Sequence, residues 1–258
     1  MSKELGLLTP IEKELRFNVW RKEKGISRFL LDLDDTICGT RKVFRDCMSM
    51  AYDFLEINVP VISRDNWQKL IEETNNRLFE QFAVNPKRWD MVVEELAKLH
   101  KLPTDVQETT KQIFSQIYLT PPEMLEDAEE GLGFLVKVGV PIGIVTHAGS
   151  EWTWRKYNWL DLKRFVSWDD IYIVDENKHK TSESWREAVK YFGLKPEESA
   201  VIGDSPRSDI NPACQIGVRQ CFLIEDPKQW SVHNEPVNEN VRKISNLSQI
   251  VDVIYEAN

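Results

Sequence analysis

The chain has 258 residues, 41% hydrophobic and 29% charged, a balance that excludes a disordered, collagenous or coiled-coil chain and suits one large domain or a core with an insert. With 42 acidic against 33 basic residues the formal charge is −9, and the longest basic stretch is the mixed Arg21-Lys22-Glu23-Lys24, so no nucleic-acid partner is expected. No apolar run approaches the ~18 residues of a membrane span. The first residues lack the apolar centre of a signal peptide, and Cys38, Cys47, Cys214 and Cys221 have neither CxxC spacing nor disulfide density, so the expectation is a cytoplasmic protein without a membrane partner.

In chain order, Thr9-Pro10 opens a helix that runs to about Lys24 and stops at Gly25. A first apolar run follows, Phe29-Leu30-Leu31. From about Arg41 to Tyr118 no strand-like run occurs; the spacing predicts helices over Val43 to Leu55, Ser63 to Phe82, Pro86 to His100 and Thr104 to Ile117. Beyond them come a helix from Glu126 to Lys137, a run from Pro141 to Val145, a short helix carrying Trp152 and Trp154, and a run from Ile171 to Val174. A helix from Ser184 to Phe192, ended by Gly193, precedes the runs Ser199 to Ile202 and Cys221 to Ile224, and helical spacing returns over Leu247 to Tyr255. The five runs are continuous rather than alternating, as in strands buried on both faces of a parallel sheet. Strands alternating with helices predict an α/β fold, and the helical block is too large for one crossover, so it reads as an inserted helical domain.

Polar residues gather where the runs end. The first leads into Asp32-Leu33-Asp34-Asp35-Thr36, and residues two apart on a strand point to the same side. Two bare carboxylates about 4 Å apart repel by about 4 kcal/mol at an effective dielectric near 20, so such a pair shares a proton or holds a cation. The second run ends in Thr146-His147, the fourth in Gly203-Asp204-Ser205 with Asp209 five residues on, and Lys178-His179-Lys180 precedes a helix. Parallel strands bring their C-terminal ends to one sheet edge, where α/β proteins bind ligands. Carboxylates, a hydroxyl and an ammonium meeting there suit a hard cation together with a phosphoryl group.

These residues resemble the haloacid dehalogenase-like hydrolase superfamily. Its DxDx(T/V) motif matches Asp32 to Thr36, its strand ending in Thr or Ser matches Ile142 to Thr146, its lysine before a helix matches Lys180 with Lys178 in reserve, and its GDxxxxD matches Gly203 to Asp209. The resemblance implies a Rossmann-like core, residues 1–37 and 119–258, with a helical cap at 38–118. It implies an Mg²⁺-dependent phosphohydrolase acting on a small phosphorylated metabolite, with Asp32 as nucleophile forming an aspartyl-phosphate and Asp34 as general acid and base. Thr146, His147 and Lys180 are then the candidate phosphate ligands. Mg²⁺ falls to Asp32, the Asp34 backbone carbonyl and Asp204, and Asp209 supports. A phosphomutase or dehalogenase on the same fold, or a non-catalytic phosphate-binding protein, stands as the alternative. The superfamily's mutases usually carry Gly where Asp35 stands, and no GxSxG, HExxH, GxxxxGK[ST] or GxGxxG occurs. Arg41, Lys42 and Arg45, just after the first motif, could touch an anionic substrate across the domain cleft, but a solvated helix face is the stronger reading, and Arg88 and Trp89 read the same way with less to recommend them.

Overall fold

The computed structural model describes residues 9–225 and 235–255. In chain order they form α1 (Pro10–Glu23), β1 (Arg28–Leu31), α2 (Thr40–Asn58), α3 (Arg64–Phe82), α4 (Arg88–His100), α5 (Thr104–Ser115), α6 (Glu126–Lys137), β2 (Ile142–His147), α7 (Ser150–Trp159), β3 (Ile171–Val174), α8 (Ser182–Tyr191), β4 (Ser199–Gly203), α9 (Asn211–Gln215), β5 (Gln220–Ile224) and β6 (Arg242–Ile244). A short π-helical turn, Pro206–Ile210, and a 3₁₀ segment, Leu247–Tyr255, complete the elements that matter here. Among the described residues no helix is long and apolar enough to cross a membrane.

The strands form one parallel sheet in the order β3-β2-β1-β4-β5-β6. The runs are continuous because both faces are covered. Phe29 and Leu31 pack with Phe17 and Trp20 of α1 and Leu132 and Leu135 of α6. Leu30, pointing the opposite way, packs with Trp185 and Ala188 of α8 and Ala213 of α9. β1 lies between β2 and β4, with Leu31 level with Ile144 on one side and Ile202 on the other, so whatever follows β1 emerges in mid-sheet.

The helical block builds a separate apolar cluster. Val43, Cys47, Ala51 and Leu55 line up on α2 and meet Trp67 and Ile71 of α3, Val92 and Leu96 of α4, and Val106 and Phe114 of α5. The chain enters and leaves this block along neighbouring segments, joined where Gly39 N donates to Glu123 O and Leu125 N donates to Ile37 O.

Some boundaries differ from expectation, each for a physical reason. β2 runs past Val145 through Thr146 and His147, because β3 continues alongside and pairs both. α4 starts at Arg88 and not at Pro86: Lys87 N donates to Asn85 Oδ1 at 2.9 Å, making Asn85 to Lys87 a side-chain-closed turn. β6 is a short edge strand with one buried residue, too little to leave an apolar run. The segment after Leu247 is 3₁₀ rather than α; there residues three apart eclipse, which suits the burial of Leu247 and Ile250.

Candidate active site

Asp32 directly follows β1, and its N–H extends the ladder to Ile202 O at 2.9 Å. Asp204 directly follows β4, Thr146 and His147 close β2, and Lys180 precedes α8, so all of them stand at the C-terminal edge of the sheet. Lys180 is the most tightly held. Its Nζ donates to Asp32 Oδ1 at 2.7 Å and to Val145 O at 2.6 Å, and pairs with Asp209 Oδ1 at 2.6 Å, three acceptors for three N–H bonds. The buried Trp185 ring lies 5.0 Å away, fixed by its indole N–H on Ser208 O. Lys178, by contrast, is exposed. Burial disfavours the Lys180 charge, but Asp209 and Asp32 outweigh it and its pKa lies above the ordinary value.

Asp209 is aimed by the turn it sits in: its Oδ2 accepts from Ser205 N at 3.1 Å, while Ser205 Oγ caps the turn at Ser208 N. Gly203 makes room for it. A Cβ there would lie 2.6 Å from Asp209 Cβ and Oδ2. Gly203→Ala is therefore expected to push Asp209 off Lys180 and lower kcat by roughly 10²-fold, the usual scale for a displaced catalytic group; unchanged kcat in a steady-state assay would show that the Asp209–Lys180 contact is dispensable.

Oxygens of Asp32, Asp204 and Asp209 lie within 4.8 Å of one another, all three residues buried. Arg41, at the start of α2, partly balances them: its Nη2 is 3.2 Å from Asp204 Oδ2, and its Nε is 3.7 Å from Asp35 Oδ2. Arg41 is thus no solvated face residue. Asp35 adopts a left-handed φ of 57°, and its Oδ1 accepts the Arg41 N–H at 2.8 Å, a local bond that lets Asp stand where Gly is usual. Burial, against the pull of Lys180, pushes the Asp32 pKa up to about 7, and burial followed by Asp209 and Asp32 pushes Asp204 well above the carboxylate range. Fully ionised, Asp32, Asp34, Asp35, Asp204 and Asp209 would exceed Arg41, Lys156 and Lys180 by two negative charges, and that repulsion is part of what raises Asp32 and Asp204. An all-oxygen donor set with that excess fits a hard divalent cation.

Asp34 has a partner that sequence reasoning missed. Lys156 of α7, wholly buried, donates to Asp34 Oδ1 at 2.6 Å and Oδ2 at 2.8 Å, with its Nζ 3.8 Å from the Trp152 ring centre one turn earlier. The i, i+4 spacing of Trp152 and Lys156 was the only local signal.

Thr146 is fully buried and its hydroxyl has no hydrogen-bond partner among the described residues. His147 lines the cavity, is held to the Lys178 backbone, and leaves Nε2 buried without a partner among the described residues. Burial, then the Lys180 charge, pushes the His147 pKa down to about 3. The unfolded chain therefore binds its proton first as pH falls below ~6.5, and this histidine costs the fold about 2 kcal/mol by pH 5. Its ring resonances are expected not to titrate between pH 7 and 5 in NMR spectra; a midpoint near 6.5 would place the ring in solvent.

A cavity of about 760 Å³ opens between sheet edge and helical block. Asp32, Asp34, Lys180, Asp204 and Asp209 line one side. Phe44, Tyr52, Phe79 and Trp89 face them from α2, α3 and α4, so Trp89 and its neighbour Arg88 are cavity residues and not only packing.

Comparison with known proteins agrees with this arrangement. The chain matches the profile of haloacid dehalogenase-like hydrolases over residues 29–223. It is 25% identical over 208 residues to glyceraldehyde 3-phosphate phosphatase of Pyrococcus furiosus, covering 78% of this chain and 81% of that protein. Among solved structures it is similar to a haloacid dehalogenase-like family hydrolase from Xanthomonas campestris, with TM-score 0.72 at 16% identity over 90% of this chain and 91% of that one. It is also similar to the HAD-hydrolase YfnB of Bacillus subtilis bound to magnesium, with TM-score 0.66 at 17% identity over 89% and 99% of the two chains. With the profile spanning about three quarters of its length, the chain belongs to the haloacid dehalogenase-like hydrolases, an enzyme family whose curated relative here is a phosphatase.

Proposed function

We propose that the chain is an Mg²⁺-dependent phosphomonoesterase that releases phosphate from a small phosphorylated metabolite through an aspartyl-phosphate on Asp32. The observation that carries this reading is the buried Asp32 carboxylate, fixed by Lys180 beside Asp204 and lining a cavity large enough for an ester. The phosphatase relative supports it.

Asp32 attacks phosphorus and the bond to the leaving alcohol breaks; Asp34, lining the same cavity, supplies the proton to the alkoxide. Water then attacks the aspartyl-phosphate, Asp34 takes its proton, and inorganic phosphate leaves. Lys156 donates to both Asp34 oxygens, so one of those bonds must loosen when Asp34 carries the proton. Lys180, on exchanging its bond to Asp32, and the Thr146 hydroxyl are the donors for the phosphoryl oxygens; His147, neutral and with its one ring N–H on the Lys178 backbone, presents an Nε2 lone pair and so receives a protonated phosphate oxygen. Asp32, Asp204 and the Asp34 carbonyl would hold Mg²⁺, with Asp209 positioning Lys180. Bound there, the ion supplies charge neutralisation for the phosphoryl oxygens.

On this reading residues 38–118 are a cap over a core of 1–37 and 119–258, gating water and substrate. Its contacts with the core include Arg207 on both Glu80 oxygens at 3.0 Å and Asn85 on Asn177 at 2.6 Å. Phosphate release from p-nitrophenyl phosphate and a panel of sugar and three-carbon phosphates tests the proposal. Release is expected to need Mg²⁺, to stop under EDTA and to return with excess Mg²⁺. Release that survives chelation would sink the metal requirement, and none from any ester would sink the phosphatase reading.

A further inference from the structure

The cavity holds a cation that the reaction at Asp32 does not use. Arg88, the first residue of α4, is 5% exposed, yet its side chain has one hydrogen-bond partner among the described residues: Nε donates to Asn75 Oδ1 at 2.9 Å. Nη1 is buried with no acceptor, and no carboxylate of the described residues lies within ion-pair distance of it. The neighbouring lining arginines differ. Arg41 has Asp204 and Asp35, and Arg64 has Asp53 and Ser49.

Phe79 and Trp89 flank Arg88, their ring centres 5.1 and 5.5 Å from the guanidinium carbon. Rings satisfy the faces of a guanidinium and leave its in-plane N–H bonds unmet. Losing the proton offers no relief: burial lowers the pKa only to about 10, so the charge persists at neutral pH. A buried cation without a counter-ion is costly to fold around, and an incoming anion removes that cost.

Asn75 completes the arrangement. Because Arg88 Nε can only donate, the Asn75 oxygen faces it, and the Asn75 amide NH₂ makes no hydrogen bond among the described residues. Both residues line the cavity from the helical block, opposite the carboxylates of the sheet edge. Its volume of about 760 Å³ far exceeds what one phosphoryl group fills, and apolar rings occupy the wall between.

We propose that Arg88 and Asn75 form a second anion subsite, and that the substrate is a phosphomonoester bearing another anionic group, a carboxylate or a second phosphate, remote from the transferred phosphoryl. This rests on reading the cavity as the substrate site of a phosphomonoesterase. Arg88 is a binding residue on this view, since nothing places it on the reacting atoms.

The test uses the full chain carrying Asp32→Asn, so that esters bind without turnover, and reads dissociation constants by calorimetry with Mg²⁺ present. Two matched pairs separate the anion sources: 3-phosphoglycerate against glycerol 3-phosphate for a carboxylate, and fructose 1,6-bisphosphate against fructose 6-phosphate for a phosphate. In at least one pair the doubly anionic member is expected to bind at least tenfold more tightly, and adding Arg88→Gln is expected to shrink that ratio below twofold. No preference in either pair, or a preference that survives Arg88→Gln, overturns the proposal. Arg88→Gln is expected to fold with its melting temperature unchanged or raised; a chain that cannot fold without Arg88 makes the arginine structural and also overturns it. Phosphate release by the wild-type chain is assayed separately, so failure of the phosphatase reading shows there and failure of the subsite shows in the binding ratios.

Discussion

Asp32→Asn is expected to leave the chain folded and to lower phosphate release by at least about 10⁴-fold, the scale on which removal of a nucleophile acts. The fold survives because Asn keeps an oxygen for Lys180, which also retains Asp209 Oδ1 and Val145 O. Replacing an acid that burial and its acidic neighbours already disfavour as an anion removes repulsion within the cluster, so the melting temperature should hold or rise. The rate falls because an amide neither attacks phosphorus nor carries a phosphoryl group. Phosphate release and a thermal melt on the same sample check both halves. A folded variant that still turns over esters would remove Asp32 as nucleophile; a variant that unfolds would mean the Asp32–Lys180 pair holds the sheet edge together.

How much of this was legible in the sequence depends on whether a residue's role is set by its neighbours in the chain. Phe29 to Leu31, Pro141 to Val145 and Ser199 to Ile202 announce buried strands because both faces of each strand need apolar side chains, and the strand ends then place Asp32, Thr146 and Asp204 at one edge. Lys180 follows from its position ahead of a helix that buries Trp185. Lys156 does not follow from anything local. It sits on a helix among Trp152, Trp154 and Arg155, and its partner Asp34 is 122 residues away in the chain. Arg41 and Arg88 share that difficulty: a basic residue at a helix start reads as solvated until the sheet edge that it faces is known. β6 has a single buried residue and no pattern to display. Sequence periodicity reports which residues turn inward, and it is silent on which charges meet once they do.

The Asp34–Lys156 pair carries the second large expectation. Lys156 is wholly buried and Asp34 is its only acidic partner among the described residues, so Asp34→Asn strands a buried ammonium. Breaking a buried pair in this way typically costs 3–5 kcal/mol; Asp34 keeps a quarter of its side chain exposed and Asn still offers one oxygen, so about 2–3 kcal/mol is expected. Lys156→Met alone leaves Asp34 in an already negative cluster and also destabilises. The double variant removes both charges and should recover most of the loss, a coupling of about 1.5–3 kcal/mol in denaturant melts. Additive losses would mean that the two side chains do not depend on each other. Kinetics divide the roles further. Lys156→Met keeps the proton carrier but frees its orientation, so kcat should fall roughly 10- to 100-fold with KM nearly unchanged. Asp34→Asn removes the carrier, and its rate should fall far more with alkyl phosphates, whose alkoxides need a proton, than with p-nitrophenyl phosphate, whose phenolate does not. Equal losses on both esters would remove Asp34 as general acid, leaving it, oriented by Lys156, only as the base for the attack of water.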